Sequence, residues 1–139
     1  MAHERLRKFN TSDTYPNQTI DNDLCQTVKA RGTLVFLRGQ VGQDIDNFDS
    51  VGAGDPVAQT NQAMKNVMQL LKEAGSKKEH ICRMQVFLTD RAYRDPVYQT
   101  IGTWLKGVYP VSTGLIVDGL ARPEWVMEIE VTAIIPDNV

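Results

Sequence analysis

Two histidines, His3 and His80, and two cysteines, Cys25 and Cys82, are all the imidazole and thiol in this sequence. His3 lies in a polar leader and His80 in the turn-like run Ser76-Lys77-Lys78-Glu79-His80, so neither a Ser-His-Asp relay nor a His-rich metal site assembles readily from them. The two cysteines are too few and too far apart for a disulfide scaffold or a zinc knuckle and read as free thiols. Acid-base chemistry must therefore be built from guanidinium and carboxylate groups. Arg38, Arg83, Glu128 and Glu130, with Gln85, alternate with apolar neighbours on candidate strands and so share one sheet face. A carboxylate partly removed from water can hold a pKa suited to proton transfer.

The elements that must position these groups follow from local pattern. A short strand is expected at Arg5–Asn10, and Tyr15-Pro16-Asn17 marks a loop. Cys25–Arg31 and Thr33–Val41 flank Gly32 and predict an antiparallel hairpin. Residues 42–54 are rich in Asp, Asn, Ser and Gly and read as a loop. Asp55-Pro56 then supplies an N-cap and a preset first helical residue, Ala63, Val67, Leu70 and Ala74 recur at helical spacing, and Gly75 stops the helix. Ile81–Thr89 predicts a strand, with Cys82 directed to the core under the helix, and Pro96–Lys106 a second helix opened by Asp95-Pro96. Ser112–Val117 and Trp125–Ile135 complete the set as strands.

That order predicts an α+β protein in which both helices, as right-handed crossovers, cover the same face of the sheet. The other face carries Phe36 and Phe87 among the charged residues named above and needs a cover of its own. A second copy of the chain is the commonest solution, which predicts a homo-oligomer with a polar pocket between subunits.

Composition agrees with one domain over 1–139, a leader over 1–24 preceding a core over 25–136. Of its 139 residues 42% are hydrophobic and 23% charged. Fifteen Lys and Arg against seventeen Asp and Glu give a net charge of -2, so there is no domain-wide basic field for a phosphate backbone, which argues against nucleic acid as the main partner. No apolar stretch approaches the about 20 residues that span a bilayer, and the leader lacks the apolar block of a signal peptide, a pattern that reads as cytoplasmic. Gly52-Ala53-Gly54 is followed by Val57 with no Lys-Ser or Lys-Thr, and so reads as plain loop rather than a nucleotide loop.

Arg38-Gly39-Gln40 after an apolar strand, Gln59-Thr60-Asn61-Gln62 entering a helix, and Asn66 through Gly75 resemble the RidA (YjgF/YER057c) family. The resemblance continues through Val86-Phe87-Leu88-Thr89-Asp90, Tyr98, Tyr109-Pro110 and Glu128-Ile129-Glu130, and covers residues 24–136. It implies a chorismate-mutase-like fold with a mixed six-stranded sheet and two helices packed on one face. It further implies homotrimers with pockets between subunits, and hydrolysis of enamines and imines to 2-keto acids and ammonia without metal or organic cofactor.

The family's pocket arginine, in a Pro-x-Arg-Ser motif, clamps the substrate carboxylate as a two-pronged donor. Here the motif reads Pro110-Val111-Ser112-Thr113, and Ser112 supplies neither the charge nor the fork. Cys25, Asp95 and Gly114 also differ from the usual residues at site positions, whereas Gly39 and Glu128 are kept. Arg38 replaces the serine of the usual Ser-Gly-Gln motif. The expected site is therefore Arg38 as the relocated cation and Glu128 as the group that positions water, with Gly39, Cys25, Asp95, Ser112 and Gly114 lining the pocket. Arg83 and Glu130 are expected as contacts between subunits, and Cys25 as packing rather than nucleophile. A small-molecule substrate, with or without a carboxylate, suits such a pocket. A pocket that binds without turnover is the competing reading, and ribonuclease or translation-inhibitor activity a weaker one.

Overall fold

The computed structural model describes residues 3–14, 17 and 19–137. Its centre is a four-stranded mixed sheet in the order β5-β8-β6-β7, where β5 is Gly32–Phe36, β6 Ile81–Leu88, β7 Val111–Ile116 and β8 Met127–Pro136. β8 pairs antiparallel with β5 and β6, and β6 pairs parallel with β7. The leader adds β1 (Glu4–Leu6), β2 (Phe9–Asn10), β3 (Asp23–Leu24) and β4 (Thr27–Lys29), which form two short ladders, β1 with β4 and β2 with β3. The α+β architecture is as expected, but the strands divide into one sheet of four and two ribbons.

Two local departures explain that division. Arg7 adopts a left-handed φ of 57°, so the strand expected over residues 5–10 breaks into β1 and β2. The expected hairpin across Gly32 does not form either. β4 is taken by β1, while β5 finds a long apolar partner in β8, with Phe36 opposite Thr132 and Val35 opposite Ala133. Beyond Phe36 the chain leaves strand geometry yet still follows β8 through a bond from Leu37 N to Val131 O of 3.0 Å.

Helix α2, Pro56–Glu73, begins where the sequence places it: the Asp55 carboxylate accepts from the backbone N–H groups of Val57 and Ala58, both at 3.1 Å. Helix α3 spans Arg94–Trp104, two residues earlier than expected. The Asp95-Pro96 pair does not cap it, because the preceding 3-10 turn, capped by Asp90 through Ala92 N at 2.8 Å, runs directly into the helix. A single-turn α1, Thr11–Thr14, is a third helix the sequence pattern did not indicate.

Both long helices lie on one face. Ala63, Met64, Val67 and Leu71 of α2 and Val97, Tyr98 and Ile101 of α3 form one core cluster with Met84, Val86 and Leu88 of β6 and alternate residues of β8. A register shift between Ile81 and Arg83 seats Ile81 in this cluster. Cys82 is buried but outside it, its Sγ facing the His80 carbonyl at 3.5 Å, so it does not occupy the expected core position.

The opposite face is uncovered in the single chain. Phe36 is 73% and Leu34 57% exposed, beside Glu128, Glu130 and Arg83. The Gln85 amide, oriented to suit both neighbours, donates to Glu130 at 3.1 Å and accepts from Arg83 at 2.8 Å. Among the described residues no helix is long and apolar enough to cross a membrane.

Candidate functional site

The expected site residues fall into two groups at opposite edges of the sheet. At the β5 edge a cleft of about 530 Å³ is lined by Arg38, Gly39 and Glu128, with Phe48, Trp125 and the end of α2 as its apolar walls. At the β7 edge a cavity of about 510 Å³ is lined by Cys25, Ser112 and Arg94, with Phe9, Thr11 and Leu24 from the leader. No residue lines both.

The cleft is built by the segment that follows β5. Gln40 exchanges both backbone bonds with Ile129, 2.8 Å from Gln40 N to Ile129 O and 2.9 Å in return. This fixes Gly39 beside Glu128, the first outward-facing residue of β8. A side chain at position 39 would collide with the Glu128 carboxylate, so only glycine permits this approach. Half-burial raises the Glu128 pKa above a glutamate's ordinary 4.5, Arg38 opposes the rise, and Glu130 adds to it. Arg38 is exposed and makes no ion pair among the described residues; its carbonyl accepts from Gln40 Nε2 at 3.0 Å.

The cavity owes its shape to α3 and to the leader. Gly114 lies against the Tyr98 hydroxyl so closely that a Cβ there would strike it, and the same hydroxyl meets Ser112 Oγ at 3.3 Å. The segment before Cys25 is tied to α3 by a bond from Asn22 Nδ2 to the Tyr98 carbonyl, and to the turn after α3 by one from Gly107 N to Asp23 Oδ2 at 2.8 Å. Cys25 N then bonds to the Pro110 carbonyl at 3.1 Å. Burial pushes the Cys25 thiol above its ordinary 9.0, which keeps it protonated at neutral pH and unsuited to nucleophilic attack.

Asp95 is exposed on the first turn of α3 and lines neither space. Tyr98, three residues on, is the α3 residue that reaches Ser112 and Gly114. Arg94 went unnoticed in the sequence, as did the leader's share of the walls. A cation one turn before Tyr98 on a helix was the available signal, since residues at i and i+4 share a helix face. Among the described residues no group of three or more His, Cys, Asp or Glu side chains is arranged to hold a metal ion.

The faces of the sheet keep the two groups apart. Glu128 pairs with Phe87 on the open face, whereas Ser112 and Gly114 pair with Met84 and Val86 and turn toward the helices. Within one chain the carboxylate and the serine cannot meet over one substrate. These features define a small α+β protein whose mixed sheet is covered by its two long helices on one face.

Comparison with known proteins agrees with that description. Residues 19–135 match the endoribonuclease L-PSP family. The chain belongs to this family, the YjgF/Rid proteins. The 2-iminobutanoate/2-iminopropanoate deaminase of Mus musculus is 31% identical over 100 residues, covering 72% of this chain and 73% of the mouse protein. Protein DfrA of Myxococcus xanthus is 32% identical over 103 residues, covering 74% and 76%. Among solved structures, the Rid-family protein YyfB of Yersinia pestis, of unknown function, superposes with a TM-score of 0.76 at 26% identity, covering 97% of this chain and all of that one.

Proposed function

We propose that this protein is a cofactor-independent hydrolase of enamines or imines, working at sites formed where the β5 edge of one copy meets the β7 edge of the next. The observation that carries the reading is Glu128, a half-buried carboxylate held against Gly39 beside Arg38 in a cleft of substrate size. The mouse relative named as an imine deaminase supports it.

In the proposed reaction water adds to the imine carbon, Glu128 taking one water proton and passing it to nitrogen to give a carbinolamine; the carboxylate then takes the carbinolamine hydroxyl proton and delivers it to nitrogen as the C–N bond breaks. One imine and one water give one carbonyl compound and one ammonia. An enamine substrate first moves a proton from nitrogen to carbon to become the imine. Arg38 contributes positive charge on the Glu128 wall, and the N–H groups of Gly39 and Gly114 orient the substrate from the two half-sites. Burial raises the Glu128 pKa and so makes the carboxylate a better proton acceptor than an exposed glutamate.

Head-to-tail contact between unlike edges closes into a ring, and three copies is the proposed number. The exposed Phe36 and Leu34 would then be covered inside the ring. Replacing Phe36 by Glu is expected to convert the oligomer to monomer in light scattering while a folded circular dichroism spectrum persists. A Phe36→Glu protein of unchanged mass would remove the open face from the interface.

The activity test supplies imines freshly from an amino-acid oxidase and follows their capture by semicarbazide. Hydrolysis by this protein is expected to slow semicarbazone formation in proportion to protein concentration. No effect with any imine, together with saturable binding of a small carboxylate, would instead support a pocket that binds without turnover. With a net charge of -2, ribonuclease activity has little electrostatic support.

A further inference from the structure

We propose that Arg94 is the carboxylate anchor of this protein, gripping the substrate's acid group from the first residue of α3 in the cavity that Ser112 lines. The proposal rests on the hydrolase reading for the identity of its ligand, but its geometry stands apart from it.

Charge distinguishes the two half-sites. In the cleft, Arg38 shares its surroundings with Glu128, so an incoming carboxylate would meet a cation already neighboured by an anion of its own sign. Among the described residues that line the cavity Arg94 is the only charged one, and the polar groups around it are the Thr11 and Ser112 hydroxyls and the Gln26 amide. No carboxylate reaches Arg94: the ion pairs among the described residues are Lys29 with Glu4, Lys106 with Asp21 and Asp23, and Arg122 with Glu124. A guanidinium without an ion-pair partner among the described residues, in a half-open cavity of one positive charge, is a site for an anion.

The side chain is also held ready. Its guanidinium lies 4.9 Å from the centroid of the Tyr98 ring, and Tyr98 is itself buried, locked between Gly114 and Ser112. Stacking on the ring face leaves the in-plane N–H fork free for a two-oxygen acceptor. The other arginine near Cys25, Arg5, is spent on backbone: it donates to the carbonyls of Tyr109 and Ile81 at 2.9 Å and of Glu79 at 3.1 Å. The single relocated clamp expected at position 38 is thereby divided between two guanidiniums, Arg94 for the acid group and Arg38 for the wall that carries Glu128.

The probe is 2-oxobutanoate, titrated calorimetrically into the intact oligomer, with 2-oxobutanamide as the uncharged comparison. Arg94→Met is expected to weaken 2-oxobutanoate binding about 10- to 100-fold, the range of a charge-assisted hydrogen-bond pair, and to leave the amide unaffected. Arg94→Lys should recover part of the loss, which a purely structural role would not predict. The exposed Arg91 serves as control, and Arg91→Gln should bind like wild type.

In turnover, Arg94→Met should raise KM for imino acids far more than it lowers kcat. Equal binding of 2-oxobutanoate by wild type and Arg94→Met, or no binding by wild type, overturns the anchor even if imines are hydrolysed. Loss of binding in Arg94→Met without any imine turnover by wild type upholds the anchor and overturns the hydrolase reading.

Discussion

Replacing Glu128 by Gln is expected to lower imine hydrolysis by at least about 100-fold, the usual contribution of a positioned acid-base group, while the oligomer and 2-oxobutanoate binding persist. Glutamine keeps the size and polarity that fit against Gly39 but can neither accept the water's proton nor return it. The pH profile gives an independent check. Burial raises the Glu128 pKa above 4.5, and the proposed base works only when ionised. The wild-type rate should therefore fall as pH drops through that raised value, at a higher pH than an exposed glutamate would show. In Glu128→Gln the residual rate should have lost this acidic limb. A variant retaining more than about a tenth of the rate would show that water is activated elsewhere, because acid-base roles of this kind are worth two to four orders of magnitude.

The second large effect concerns stability. Gln59 is fully buried in the first turns of α2, and its amide joins three separate backbone segments. Nε2 donates to the Gly52 carbonyl at 2.9 Å and the Glu124 carbonyl at 2.7 Å, and Oε1 accepts from Val126 N at 2.9 Å. The helix start, the loop before it and the turn that leads into Glu128 are thus tied through one side chain. Gln59→Leu preserves the volume but leaves the Val126 N–H without its acceptor in the interior, at about 1–3 kcal/mol for a buried group left unpaired, while the Gly52 and Glu124 carbonyls keep their bonds from Asp55 N and Gly54 N. With the two lost amide bonds added, the net loss should be about 2 kcal/mol, a fall of roughly 6 °C in the unfolding midpoint for a chain of this size. The measurement is thermal unfolding at one fixed protein concentration, since oligomerisation shifts the midpoint by mass action. A loss below about 1 kcal/mol would mean that water or shifted backbone replaces the amide, against the usual cost of an orphaned buried group.

Gln59 also shows where sequence reading reaches its limit. The run Gln59-Thr60-Asn61-Gln62 is recognisable as a family feature, yet nothing in it says that the first amide ties down a turn about sixty-five residues later. Helix α2 was legible because its signals are local: Asp55, Pro56, the apolar spacing and Gly75 act within a few residues of one another. The N-terminal hairpin was misread for the opposite reason. Both of its strands look like strands, but their partners lie elsewhere, β1 for one and β8 for the other. Pairing is decided by competition among distant segments, and propensity carries no record of the winner.

The candidate site divides along the same line. Alternation along β8 placed Glu128 on the open face, and the departure at Ser112 announced that the usual cation was missing. Asp95 enters the expected pocket because it stands where the family usually has an asparagine, and Asp95-Pro96 reads equally as a helix opening. Helix α3 leaves Asp95 exposed and presents Arg94 and Tyr98 toward the cavity. Residues 94 and 98 lie about one turn apart and share a face, whereas 95 is turned about 100° from 94.

Residue types and short-range spacing alone determined the fold class, helix α2, the two-faced sheet, the carboxylate on its open side and the scarcity of imidazole. Only the tertiary structure decided which strands pair, that the site residues separate to opposite edges, and that the unpaired cation beside Ser112 is Arg94. The reason is that these facts depend on contacts between segments far apart in the chain, whose outcome is settled by packing and by the satisfaction of buried polar groups, not by any local preference.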